Sequence, residues 1–303
     1  MNLDISVVIP ARNRARLLPA CLESVLAQTH APREIIVVDD GSDDQTYDVA
    51  MTYASRGVSC IRLERSAGAQ AARNAGIRNT RHEWIAFQDS DDTWLPDKLA
   101  CQVAALEGRA DIDNLVVHCN GYKETAISRN TEEIAMPTFS GDCYAKLLLY
   151  PGPMFPGLLV HKSRLLEIGL LDEQCPSYQE WDTAIRLARI AQFVHVEKPL
   201  FNWRWHDDET ISKNLRRDFL GFQYVIEKHR LETIKVHGRR NWSKLLSRNL
   251  NRGLQFKCFP EVVSVATSQS PYLPNLLAGT LARLGICPPG TASIMKIAGF
   301  LGI

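Results

Sequence analysis

At 303 residues, with 45% hydrophobic and 23% charged side chains, the chain has ordinary globular composition, with room for one large domain and an appendage or for two domains. A formal net charge of +1 supplies no overall basic field for nucleic acid and no acidic tail. The eight cysteines are scattered without a CxxC pair, which argues against a zinc or thioredoxin-type motif and suits a reducing cytoplasm.

The amino terminus, MNLDISVVIP, lacks the basic start and long apolar stretch of a signal peptide and reads as a first strand. Nowhere is there the run of roughly 18 apolar residues that a membrane span needs. The nearest, PGPMFPGLLV, is broken by proline and glycine. The expected location is the cytoplasm, in soluble form or attached peripherally at the inner face of the membrane.

In chain order, Ile5–Pro10 (ISVVIP) is a β-branched run that proline ends. LLPACLESVLAQ follows with Leu18, Cys21, Leu22, Val25 and Leu26 at helical spacing. Glu34–Val38 reads as strand, TYDVAMTYAS as helix, Val58–Leu63 as strand, GAQAARNAGIRN as helix and Trp84–Phe87 as strand. This alternation predicts βαβ units and a mostly parallel sheet, and the nearly continuous apolar strands predict helices on both faces. Past residue 107 the pattern is mixed. LVVHCNGY is a strand, DCYAKLLLYP a helix, and GLLVHKSRLLEIGLLDE a strand leading into a helix. SYQEWDTAIRLARIA is an amphipathic helix with Trp181, Ile185, Leu187 and Ala188 turned inward, and QFVHVEKPLFNWRWH gives two short strands around Lys198-Pro199. From about Leu215 the text is helical and rich in basic residues, which places a boundary near residue 213.

In open parallel sheets ligands bind beyond the carboxyl ends of the strands. The polar clusters fall there: PARNR, DDGSDDQT, ERSAG and QDSDD follow the first four strands. Asp39-Asp40 before Gly-Ser suits a turn that caps the next helix, and equally an acid that accepts from a pyrimidine imide or a ribose hydroxyl. AGAQAARNAGI is rich in small residues that let a helix approach a sheet closely, which accounts for Ala71, Ala75 and Gly76. It does not account for Arg73, whose guanidinium suits a phosphate. In AFQDSDDTWLPDKL, Asp89, Asp91 and Asp92 repel one another by about 1 kcal/mol per pair in water, a cost a divalent cation removes. Oxygen ligands suit magnesium or manganese shared with substrate phosphates. Asp92 also suits a cap for the helix that begins near Pro96. No GxGxxG follows the first strand, which argues against a dinucleotide-dependent oxidoreductase.

SVVIPARNR, IIVVDDGSDDQT, GAQAARNAGI and FQDSDDTWLPDKL, in this order and spacing, resemble the family-two inverting glycosyltransferases with the GT-A fold. The likeness covers roughly residues 4 to 212 and continues in LLVHKSRLLEIGLLDE and WRWHDDETIS. It implies an α/β architecture: a GT-A domain over residues 1–212, its mostly parallel central sheet flanked by helices, and a C-terminal helical region over 213–303. Residues 1–107 would be the Rossmann-like, nucleotide-sugar-binding half and 108–212 the acceptor-binding half. The resemblance further implies that Pro10, Ala11 and Arg12 line the donor pocket, with the Asp39 carboxylate on the base and Arg73 near the nucleotide. Asp89 and Ser90 would approach the ribose. Asp91, with Asp89, would form a DXD motif for the Mn2+ or Mg2+ that bridges the diphosphate. Arg204 and His206 would close over that diphosphate, His206 as a further metal ligand.

One departure matters. The family shows Glu-Asp at the start of the SYQEWDTAIRLA helix, the aspartate being its general base, whereas this chain has Gln179-Glu180 with Asp182 two residues on. Positions 180 and 182 lie about 200° apart on a helix, so only one faces the sugar. Glu180 holds the family's base position and is the first candidate, Asp182 the second. The implied activity is inverting transfer of a sugar from a nucleotide diphosphate donor, most commonly a UDP-sugar, to a hydroxyl of a glycan or lipid-linked acceptor in polysaccharide or surface-glycan biosynthesis. The alternative is a catalytically inactive nucleotide-sugar-binding partner of an active transferase. The tail, NLLAGTLARLGICPPGTASIMKIAGFLGI, either packs on the catalytic domain or lies on a membrane surface.

Overall fold

The computed structural model describes residues 1–124, 131–134, 137–204, 206, 214–269 and 273–285. Trp205, residues 207–213 of the closing motif, and the tail from residue 286 with Cys287 and Lys296 lie outside the described residues. Chain contacts divide the protein into two compact units, residues 1–173 with 180–207, and residues 174–179 with 208–303.

The first unit runs β1 (Ile5–Ala11), α1 (Leu18–Leu26), β2 (Glu34–Asp39), α2 (Thr46–Thr52), β3 (Val58–Arg62), α3 (Ala69–Asn79), β4 (Trp84–Phe87), β5 (Thr93–Trp94) and α4 (Lys98–Ala104). It continues with β6 (Leu115–Glu124), β7 (Thr131–Ile134), α5 (Tyr144–Leu147), β8 (Leu159–His161), α6 (Lys162–Glu167), α7 (Gln179–Leu187) and β9 (Gln192–Arg204). One sheet takes the order β3-β2-β1-β4-β8-β6-β9-β5, with β7 on β6. β3, β2, β1 and β4 are mutually parallel; β8 enters antiparallel to β4 and to β6, and β9 runs parallel to β6.

The apolar strands are sandwiched, as their lack of alternation implies. Ile35 and Val37 of β2 join the large core with Leu18, Leu22 and Val25 of α1. Ile36 and Val38, one position out of phase, pack on the opposite face with Ala72 of α3. Each of these valine, leucine and isoleucine side chains contributes about 1.5–3 kcal/mol on full burial. Gly76 sets how closely α3 lies on the sheet, because a Cβ there would stand 2.4 Å from Val8 Cγ1.

Two expectations change in the second half of the sheet. The pair of short strands around Lys198-Pro199 is one strand, β9, whose register against β6 steps from Cys119↔Val196 to Asn120↔Pro199. Proline has no N–H for the ladder, and a bulge absorbs it without ending the strand. DCYAKLLLYP forms only the short α5. β5 and β7 are too short or too polar to announce themselves; both are held by tertiary pairing with β9 and β6.

The second unit is helical: α8 (Leu215–Lys228), α9 (Arg230–Gln255), α10 (Phe259–Gln269) and α11 (Leu273–Arg283). Asn214 caps α8 by accepting from Arg217 N at 2.9 Å. Phe219, Phe222, Val225 and Ile226 of α8 and Trp242, Leu245, Leu246, Leu250 and Leu254 of α9 are buried. α9 is interrupted at Gly238 (φ 80°, ψ 160°), a conformation that glycine adopts without strain. Among the described residues no helix is long and apolar enough to cross a membrane.

Candidate functional site

Two loops are sewn together at the carboxyl ends of β1 and β2. Ala11 is in register with Asp39, and Pro10 and Ala11 are buried while Arg12 is exposed. Asn13 sits at φ 51°, a left-handed position that asparagine tolerates. Its backbone N donates to Ser42 Oγ and its Oδ1 accepts from Asp43 N, both at 2.9 Å. Gly41 (φ 62°) allows the next loop to come close, since a Cβ there would stand 2.7 Å from Ser66 N.

The adjacent aspartates do different things. Asp40 accepts from Ser66 Oγ (2.8 Å), Ala67 N (2.7 Å) and Gly68 N (3.0 Å), which pins the start of α3 to the end of β2. Asp39 is fully buried, and its Oδ1 accepts from Ser42 N at 3.0 Å. Its Oδ2 receives no hydrogen bond; Arg62 Nε lies 3.4 Å away as an ion-pair partner without hydrogen-bond alignment. A buried carboxylate oxygen lacking a donor is costly, and a ligand N–H or O–H removes that cost.

The acidic turn after β4 is held from three sides. Arg73 Nη2 donates to Asp89 Oδ1 at 2.5 Å, its Nη1 donates to Gln70 Oε1 at 2.8 Å, and its guanidinium carbon stands 4.2 Å from the Phe155 ring centroid. Asp91 Oδ2 meets both Arg14 Nη2 at 3.3 Å and His206 Nε2 at 3.1 Å. Asp92 is buried, with Oδ1 accepting from Arg204 N at 3.0 Å and Oδ2 without a hydrogen bond. Burial, and then the charges of Asp91 and Asp89, push the Asp92 carboxyl well above the ordinary range. Asp89 is also raised, because burial outweighs the pull of Arg73. Ser90 is buried between them.

These contacts correct one expectation. Asp92 does not cap a helix near Pro96: its carboxylate serves Arg204, and α4 begins at Lys98 behind Asp97, without a side-chain cap. Arg204 joins the cluster through its backbone N–H, while its guanidinium lies 3.4 Å from Glu124.

Glu180, in the first turn of α7, keeps partial exposure. Burial raises its pKa; Arg73 draws it down and Asp89 pushes it up, so Glu180 feels the charges of the acidic turn. Asp182 faces the other way. It is fully buried and ion-paired with Arg186 Nε at 2.9 Å, and Arg186 also donates to the carbonyls of Ile168 and Leu170. As a candidate base Asp182 is therefore withdrawn: its carboxylate is spent on fastening α7 to the preceding turn. Asn74, beside Arg73, exchanges two hydrogen bonds with the backbone of Leu171, 97 residues away, at 2.9 and 3.0 Å.

Asp91 Oδ2 and His206 Nε2 fit a hard divalent ion that takes its remaining ligands from a diphosphate and water. Among the described residues no three His, Cys, Asp or Glu side chains are arranged as a metal site, so the protein alone would not complete such a shell. Sequence reading passed over Arg14, Arg62 and Asn74. Arg14 stands inside the PARNR cluster, but its partner lies 77 residues away and no local spacing links them.

The chain matches the family described as Glycosyl transferase family 2 over residues 6–157. An uncharacterized glycosyltransferase of Rickettsia typhi is 29% identical over 222 residues, 70% of this chain and 67% of that protein. The Escherichia coli UDP-Glc:alpha-D-GlcNAc-diphosphoundecaprenol beta-1,3-glucosyltransferase WfaP is 36% identical over 103 residues, 34% of this chain and 41% of WfaP. Among solved structures, S. aureus TarS 1-349 in complex with UDP-GlcNAc superposes with a TM-score of 0.68 at 15% identity, covering 99% of this chain and 92% of that one. At that identity the likeness speaks for the fold alone, which is the GT-A fold. With half its length matching the family pattern and the acidic turn seated at the strand ends, the chain belongs to glycosyl transferase family 2.

Proposed function

We propose that the protein is an inverting, metal-assisted glycosyltransferase that moves a sugar from a nucleotide diphosphate-sugar, first of all a UDP-sugar, to a hydroxyl of a glycan or lipid-linked acceptor in surface-polysaccharide biosynthesis. The observation that carries this reading is the set of groups at the carboxyl ends of β1, β2 and β4: the undonated Asp39 oxygen, the Arg73–Asp89 pair and Asp91 between Arg14 and His206, with Glu180 close enough to feel the charges of Arg73 and Asp89. Similarity to WfaP, a UDP-Glc:alpha-D-GlcNAc-diphosphoundecaprenol beta-1,3-glucosyltransferase, supports a UDP-sugar donor and a lipid-linked acceptor.

In this reading Asp39 Oδ2 accepts the imide N–H of the base, while Pro10, Ala11 and Arg12 line the pocket. Ser90 and Asp89 meet the ribose, and Arg73 lies beside the nucleotide. Manganese or magnesium, held by Asp91 with His206 and Asp89 beside it, would neutralise charge on the diphosphate when bound. Glu180 takes the proton of the acceptor hydroxyl as its oxygen attacks the anomeric carbon from the face opposite the diphosphate. A C–O bond forms, the C–O bond to the diphosphate breaks, and the electron pair leaves with the nucleoside diphosphate. A positioned base of this kind contributes about 10²- to 10⁴-fold, and a raised carboxyl pKa suits the role. Arg14, already on Asp91, adds positive charge where negative charge develops.

A thermal-shift panel of nucleotide sugars, with manganese and with chelator, tests the reading. A ligand that binds only the folded state raises its melting temperature. A UDP-sugar should raise it most, more so with manganese, and Asp39→Ala and Asp91→Ala should each reduce the shift. Equal shifts in chelator and manganese, unaltered by Asp91→Ala, would sink the metal assignment, and no shift with any nucleotide would sink the donor reading. Metal-dependent hydrolysis of the bound donor without acceptor excludes an inactive binding protein.

A further inference from the structure

The near-zero net charge conceals a segregation. Residues 214–285 hold twelve Lys and Arg against four Asp and Glu, a formal +8, whereas residues 1–213 hold 22 against 30, a formal −8. The carboxylates of the helical unit are largely consumed: Asp218 by Arg252, Glu227 by Arg230 at 3.2 Å and Glu261 by Arg216 at 2.5 Å. Lys235, Arg239, Arg240 and Lys244 are all exposed and, among the described residues, stand in no ion pair. These four cations flank the interruption of α9 at Gly238, where a Cβ would meet nothing within 4 Å. Two apolar side chains share the stretch: Leu231 is 78% exposed and Val236 44% exposed.

We infer that this interrupted stretch of α9, from Leu231 to Lys244, docks on an anionic lipid surface. Uncompensated cations draw the segment to acidic headgroups, and exposed leucine and valine among them supply apolar surface to sink into the acyl boundary. A nucleic acid would also answer the charge, but the segment lacks the exposed aromatic side chains on which bases stack. Its one Phe, Tyr or Trp, Trp242, is buried, with the Arg230 guanidinium 4.6 Å from its ring centroid, and His237 is only partly exposed. The purpose of such docking, access to a lipid-linked acceptor, rests on the proposed function; the docking itself does not.

The full chain is co-sedimented with vesicles of phosphatidylcholine alone and of phosphatidylcholine with phosphatidylglycerol, beside a variant carrying Lys235→Gln, Arg239→Gln, Arg240→Gln and Lys244→Gln. Wild type should pellet with the acidic vesicles only and be released by salt. The variant, its melting curve unchanged, should partition several hundredfold less, given roughly fivefold for each of four cations near a charged surface. Leu231→Ser alone should weaken binding while leaving its salt dependence intact. Equal binding to both vesicles, retention at high salt, an undiminished quadruple variant, or capture by double-stranded DNA without vesicle binding would each overturn the inference. None of these readouts involves donor or acceptor, so failure here leaves the transferase reading standing, and failure of that reading leaves the docking result interpretable.

Discussion

Asp39 and Asp40 are chemically identical neighbours with opposite fates, decided by which oxygen meets a donor. Glu180 and Asp182 repeat the lesson on one helix. Replacing Glu180 with Gln should lower kcat by about 10²- to 10⁴-fold while donor affinity holds. Because the base must be ionised and burial raises its pKa, the rate should fall on acidification along a limb that lies above the ordinary carboxylate range. Full turnover in Glu180→Gln would return the search for the base to its starting point. Asp182→Asn should act on stability instead. It leaves the Arg186 charge with less compensation in a buried setting, at a cost of about 3 kcal/mol in denaturant unfolding, with turnover per folded molecule preserved.

At the scale of elements, α3 and the β6–β9 pair carry the clearest consequences. Gly76→Ala drives a methyl group into Val8, so we expect a loss of about 1–3 kcal/mol and, because α3 also carries Arg73 and Asn74, weaker nucleotide binding. Unchanged melting and binding would show that α3 can lift without penalty. The parallel pairing of β6 and β9 stacks His118 on His195 with ring centroids 4.4 Å apart and an interplanar angle of 8°. His118 Nε2 lies 2.8 Å from the Phe139 carbonyl oxygen, His195 Nε2 lies 2.8 Å from Asn120 Oδ1, and Glu197 and Lys146 act electrostatically on His195. Burial takes the His118 pKa down to about 4 from an ordinary 6.5. The folded state then binds fewer protons than the unfolded one between those values. Its stability should be full above pH 6.5 and lost progressively as pH falls toward 4. Melting curves from pH 7 to pH 4 should show the loss in wild type and a shallower one in His118→Gln; parallel slopes would relieve His118 of the role.

For the whole molecule, the acidic unit holds the acidic turn and the basic unit holds the exposed cations, a division invisible in a net charge of +1. Hydrogen exchange with a UDP-sugar and manganese should therefore protect amides of residues 11–14, 39–42 and 89–92 and leave those of α8 and α9 unchanged. Protection confined to the helical unit would place the nucleotide elsewhere. Much of the first unit was legible in the chain. β1 to β4 and the helices between them follow from apolar runs and helical spacing, because local periodicity reports burial directly. β5, β7 and the unbroken β9 were not, since a two-residue strand, a polar edge and a proline-bearing bulge are stabilised by partners distant in sequence.

What the amino-acid order determined by itself was the alternation of strand and helix, the four polar strand ends, the acidic turn and the helical character of the segments that form α8 to α11. All of these rest on contacts within a few residues or on a repeat that the chain carries locally. Only the tertiary structure decided which of Asp39 and Asp40 keeps an undonated oxygen and which face of α7 meets the acidic turn. It also decided that Arg14 reaches Asp91 across 77 positions, and that residues 174–179 group with the helical unit. Those outcomes depend on long-range hydrogen bonds and burial, quantities that exist only once the chain has closed on itself.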